Sequence, residues 1–248
     1  MRLVRVAVVV AAGAIALAGC GGDDGGDEGT TGAGNAGTQK VNTFEGETPA
    51  QILAKSKTAA QDAKSVRMVG DFDEDGGSMK IDMILSDGSG TEGSIDIDGT
   101  KMEIRLVGDV IFVMGGEEMW SSMVPGSPES AEKLAGKWVR IKKGDQAAAR
   151  FEDIISIDKA FESLLKPNDR KLSKVDGKDV EGTPTIGLVD KTDADEQATL
   201  YIAARGPAYP LLVEPANGKG QMAFTEWNEE VSVETPGNPV DLSKIVGS

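Results

Sequence analysis

Cys20 closes the run Leu17-Ala18-Gly19-Cys20. Small residues just ahead of a Cys, behind a basic and apolar leader, suit bacterial lipoprotein processing. There the thiol takes a diacylglycerol and the leader is cut away. Arg2 and Arg5 supply the leader's charge, and Val6 to Leu17 carries none. That stretch has the length of a secretory core and is too short to span a bilayer. No other Cys occurs in the 248 residues, so Cys20 has no internal disulfide partner. The pattern predicts a signal peptide over residues 1–19 and an acylated Cys20, palmitate being a typical acyl group. The membrane is then a partner through the diacylglyceryl group. The protein would sit on the outer face of the bacterial cell membrane. The competing readings are an ordinary signal peptide with an unused Cys, or a short membrane anchor.

Other spacings imitate chemistry less well. Asp71, Asp73, Asp75, Gly76 and Asp82 follow a calcium-loop pattern. Strand-like sequence flanks them, where a sensor hand has helices, and an acidic hairpin turn accounts for them. Gly88, Gly90 and Gly93 spell a dinucleotide-loop motif, but Ile95-Asp96-Ile97-Asp98-Gly99 continues as strand and turn rather than helix. Ser163-Leu164-Leu165-Lys166 matches one serine-hydrolase element and lacks its companions. The chain has no His, which removes the usual general base and the commonest metal ligand. No enzyme, cofactor or metal is expected.

The formal net charge is -15, and removing the leader takes away only Arg2 and Arg5. Such a surface repels nucleic acid and anionic headgroups. No nucleic-acid partner is expected, and the lipid must do the anchoring.

Residues 20–47 comprise Cys20 and a Gly-rich, Asp-rich stretch with Phe44 its one aromatic. It lacks the apolar content to offset ordering entropy, so it reads as a flexible tether. A coil of this length reaches roughly 30 Å. Residues 48–248 read as a single domain, long enough for a sizeable core.

Within it, Thr48-Pro49 starts a helix running to about Ala63. Period-two alternation then marks successive strands. Val66, Met68, Gly70 and Phe72 share a face, as do Ile81, Met83 and Leu85, and Met102, Ile104 and Leu106. Asp75-Gly76-Gly77, Asp87-Gly88 and Asp98-Gly99 are turn sequences between them. Strands are expected at Val110–Met114 and Trp138–Ile141, and helices over Pro128–Ala135 and Phe151–Leu165. Six more follow: Leu172–Val175, Val180–Val189, Thr199–Ala204, Leu211–Glu214, Met222–Trp227 and Val231–Glu234. This order predicts an α+β fold: a strongly curved antiparallel sheet forming a half-open β-barrel capped by helices. A packed barrel without a cavity is the alternative.

Eight methionines after the initiator cluster mostly in the first half of the sheet. They suit either an adaptable apolar groove or a gap-filled core. Trp120, Trp138 and Trp227 read as core or rim anchors with paired indole N–H groups. Trp120, placed in the loop after Val110–Met114, is also a candidate cavity gate.

The acylated Cys, Gly/Asp tether, single helix, hairpin run, Gly136-Lys137-Trp138-Val139 segment, helix and second strand run resemble the actinobacterial LppX/LprAFG-like lipoproteins and the LolA/LolB-like carriers. The resemblance covers residues 48–235. It implies a half-open barrel whose concave face holds acylated lipid or lipoglycan, and Cys20 as the anchor. Ile81, Met83, Leu85, Met102, Ile104 and Leu106 would line that face, with Val113 and Trp120 beside them. The function it implies is an envelope lipid carrier or chaperone. A non-catalytic envelope domain that binds a protein through its acidic outer face is the alternative.

Overall fold

The computed structural model describes residues 44–74, 77–124, 128–142, 144, 147–151, 154–166, 171–192 and 197–246. The leader, Cys20 and most of the expected tether lie outside these residues, as do Asp75 and Gly76.

Helix α1 (Pro49–Gln61) starts where a reciprocal cap permits. Gln51 N–H donates to Thr48 Oγ1 at 3.3 Å, and Thr48 N–H donates to Gln51 Oε1 at 2.8 Å. The helix buries Ile52, Leu53, Ser56 and Ala60. Phe44, ahead of it, is also buried in the core. The packed region therefore begins before Thr48, because one aromatic side chain gains more from burial than the short polar run around it loses.

Strands β1 (Ser65–Glu74), β2 (Gly77–Ser86), β3 (Thr91–Ile97), β4 (Thr100–Val107), β5 (Val110–Gly115) and β6 (Val139–Lys142) pair in sequence as an antiparallel meander. The β3–β4 turn needs two left-handed residues, and Asp98 (φ 54°) and Gly99 (φ 82°) supply them. The Gly88–Gly93 motif lies across the β2–β3 hairpin, with strand following it as expected.

The chain then crosses to the far edge and returns through β7 (Leu172–Val175), β9 (Thr183–Asp190), β10 (Ala198–Ala203), β11 (Pro210–Pro215) and β12 (Gly220–Thr225), with β8 (Asp179–Val180) paired only to β9. The meanders meet where β12 pairs β1, and β13 (Val240–Asp241) adds a parallel strand to β6. Among the described residues this makes a 13-stranded sheet with two free edges. It is the expected α+β half-open barrel, with helices on its concave side.

Several local expectations are corrected. The helix expected over Phe151–Leu165 is only α4 (Ile157–Leu164). Ser156 is extended there and its side chain accepts from Lys159 N–H, so the helix starts after it; a separate 3-10 turn spans Ala148–Arg150. Trp120 is not in a loop. It lies on helix α2 (Glu117–Met123), which extended Gly116 admits and which Glu117 and Glu118 favour at its N-terminus. Helix α3 (Pro128–Leu134) is as expected, with Gly136 left-handed after it. The strand expected across Val180–Val189 is split by a turn at Glu181-Gly182, both left-handed. Val231–Glu234 is not a strand, and the sheet continues instead at β13, followed by helix α5 (Leu242–Val246).

Candidate apolar cavity

Strand registry places one apolar row after another on the concave face. Met68 pairs with Met83 and Phe224, Gly70 with Ile81 and Met222, and Ile81 with Ile95. On β11, Val213 pairs with Met222. Over this floor lies α4, whose Ala160, Phe161 and Leu164 face it. Between them is a cavity of about 300 Å³ whose lining, among the described residues, has no polar side chain. Ala198 and Pro215 close the β10–β11 side and Ile154 the start of the helical side. The volume sits at the lower end of the roughly 300–1,000 Å³ common for small-molecule pockets.

Two other depressions have similar volumes, about 310 and 330 Å³. The first lies by the β2–β3 turn beside Gln61, Asp87 and Asp158, and the second on the outer face beside Arg67, Asp82 and Arg105. Both are lined largely by polar groups that water satisfies. The apolar cavity alone of the three leaves a driving force for a hydrophobic occupant.

Helix α4 is fixed by aromatic rings. Phe161 meets Phe224 with centroids 5.2 Å apart and Trp227 at 5.5 Å. Trp227 stacks on Tyr209 at 4.4 Å and donates its indole N–H to Phe224 O at 3.2 Å. Towards the hairpin tips, the Phe72–Met79–Ile97 rung carries the apolar face outward, and Ile97 is 51% exposed.

The expected lining residues divide. Ile81 and Met83 line the cavity. Leu85, Ile104, Val113 and Trp120 are buried in the packed part of the interior. Met102 is half-buried against that core, and Leu106 borders the polar depression near the β2–β3 turn. Met68, Phe72, Met222 and Phe224 were not singled out as lining, although their strand alternation and the methionine clustering carried the signal. The indole N–H of Trp120, expected to be paired, is buried without a hydrogen-bond partner among the described residues.

Among the described residues the cavity lining holds no titratable group. Perturbed groups lie elsewhere. Hydrogen bonds donated to Asp82 and Glu226 raise the Arg67 pKa, burial and Glu214 raise that of Tyr201, and Arg140 holds the Asp241 carboxyl at about 2. Asp82, part of the calcium-loop pattern, is taken bidentately by Arg67 at 3.0 Å. Among the described residues no cluster of His, Cys, Asp or Glu could hold a metal, and no helix is long and apolar enough to cross a membrane.

No family model matches the chain, and no curated protein matches it. Solved structures do. LprF from Mycobacterium bovis aligns at TM-score 0.48 and 12% identity, over 79% of this chain and 99% of that one. Mycobacterium tuberculosis lipoprotein LppX aligns at 0.46 and 15%, over 75% and 98%. The Pseudomonas aeruginosa MucA/MucB complex aligns at 0.37 and 13%, over 75% and 58%.

Proposed function

We propose that this protein is a lipoprotein that binds the acyl chain of an envelope lipid or lipoglycan and carries or chaperones it. Cys20 is the lipidated residue, residues 1–19 are the signal peptide, and the membrane is reached through the diacylglyceryl group. The stretch from Cys20 to the packed region is the tether, and the rest is one ligand-binding domain on the outer face of the cell membrane.

The apolar cavity between α4 and the sheet carries this reading. An acyl chain moving from bilayer to cavity exchanges one apolar environment for another, so transfer is nearly balanced. Each buried methylene is worth about 0.8 kcal/mol relative to water, which keeps the chain from escaping into solvent. Modest movement of α4 then controls entry and exit. The apolar character of the described lining residues favours binding without chemistry.

Native mass spectrometry of the protein without leader or Cys20, followed by solvent extraction, tests it. Adducts resolving to a defined acyl lipid are expected. A clean apo mass after incubation with membrane extract would refute lipid carriage and favour an envelope domain that binds protein through its acidic outer face.

A further inference from the structure

Gly70 stands in the middle of β1, a strand paired on both sides, and is buried. Glycine weakens a strand interior, and there it often marks a place where something must come close. Its backbone does not require glycine, since its φ is not among the positive values. Space does. A Cβ here would stand 2.7 Å from Phe72 Cε2 and 2.9 Å from both Met222 Sδ and Cε. Both side chains lie close over the glycine, and both line the cavity. By contrast, a Cβ at Gly93 would meet the Asp82 carbonyl oxygen of the neighbouring strand. At Gly70 the three nearest atoms all belong to side chains, so an added methyl lifts these into the cavity while the strands keep their register.

We infer that Gly70 is the specificity-determining position of the cavity: by yielding its place on the sheet to Phe72 and Met222, it sets the longest acyl chain accepted. This rests on the lipid-binding reading above. Met222 is the second determinant, since its thioether is flexible and adapts to an occupant's shape.

The test uses the protein without leader or Cys20, stripped of co-purified lipid, with cis-parinaric acid displaced by saturated fatty acids of increasing length. For Gly70→Ala, affinity for the longest well-bound acid falls about tenfold, equivalent to roughly two buried methylenes, while short acids bind as before. Met222→Ala shifts the preferred length upward. The double variant returns toward wild type, because the new methyl enters space the thioether has left. An unchanged length profile in Gly70→Ala, or an equal loss at every length, would overturn the inference alone. Should Gly70→Ala not fold, Met222→Ala decides, and no gain in preferred length overturns it. A wild-type protein that binds no acid at any length overturns both this and the lipid-binding reading.

Discussion

Phe161 on α4 and Phe224 on β12 meet with ring centroids 5.2 Å apart and planes inclined by 51°. This tilted contact couples the covering helix to the strand that joins the two meanders. Both rings are buried and both line the cavity, so one contact fixes the helix and shapes the site. Phe161→Ala should cost about 3–5 kcal/mol, the usual range for a fully buried Phe. It should also speed release of a bound fluorescent fatty acid, because α4 loses its contacts to Phe224 and Trp227. Chemical denaturation measures the first effect and stopped-flow displacement the second. Destabilisation with an unchanged release rate would mean that α4 does not control exit.

Ala160 faces the cavity from the same helix. Ala160→Phe fills empty space rather than packed core, so the usual overpacking cost of about 1–3 kcal/mol should be largely avoided. Ligand binding should be lost while the melting temperature stays within a few degrees of wild type. Val69→Thr, on the exposed outer side of β1, serves as the control and should leave both unchanged. Full binding by the Ala160→Phe protein would place the ligand elsewhere.

The hairpin half of the fold was legible because two local signals agreed. Alternation set the faces, and Asp98-Gly99 set the turn. Helix α2 was not, because seven residues of mixed polarity carry too little periodicity. Val231–Glu234 alternates like a strand, yet the segment's backbone is otherwise engaged. Glu234 O accepts from Arg105 Nη1 and, just ahead of the segment, Glu229 O accepts from Ser65 Oγ. The cavity was legible only in part. Ile81, Met83 and Leu85 share one face of β2, yet the first two line empty space and Leu85 is packed solid. What divides them is where the helices lie over the sheet, which strand periodicity does not encode.

The C-terminal end is tied to β6 by Arg140 Nη2, which donates to Asp241 Oδ2 at 2.6 Å. This bond, with help from Ser243, holds the Asp241 carboxyl at about 2, below its ordinary 3.8. A carboxylate depressed by folding contributes fully above its unfolded value and loses that contribution as pH falls through its folded one. The tie should thus be complete above pH 3.8 and gone below about 2. The protection factor of the Val240 amide, which donates to Trp138 O, should fall as pH drops across that window. Asp241→Asn should be less protected throughout and lose that pH dependence of protection. An equal acid response in that variant would assign the loosening to other carboxylates.

Arg105 secures the same segment further upstream. Its Nη1 donates to Glu234 O at 3.1 Å, its guanidinium carbon lies 5.2 Å from the Trp138 ring centroid, and its Nε is 3.5 Å from Glu92. The ion pair is exposed enough to add little, and a cation over an indole at a partly exposed site adds about 0.5–1 kcal/mol. Together with the carbonyl bond, Arg105→Ala should cost about 1–2 kcal/mol. The loss should be local, raising hydrogen exchange over residues 229–241 while the β1–β4 core keeps its protection. Arg105→Lys should recover only part of the effect, because an ammonium cannot lie flat on Trp138 while donating to Glu234 and Glu92. Full recovery by lysine would show that charge alone holds the segment, and unchanged exchange in the alanine variant would show that β13 pairing suffices without it.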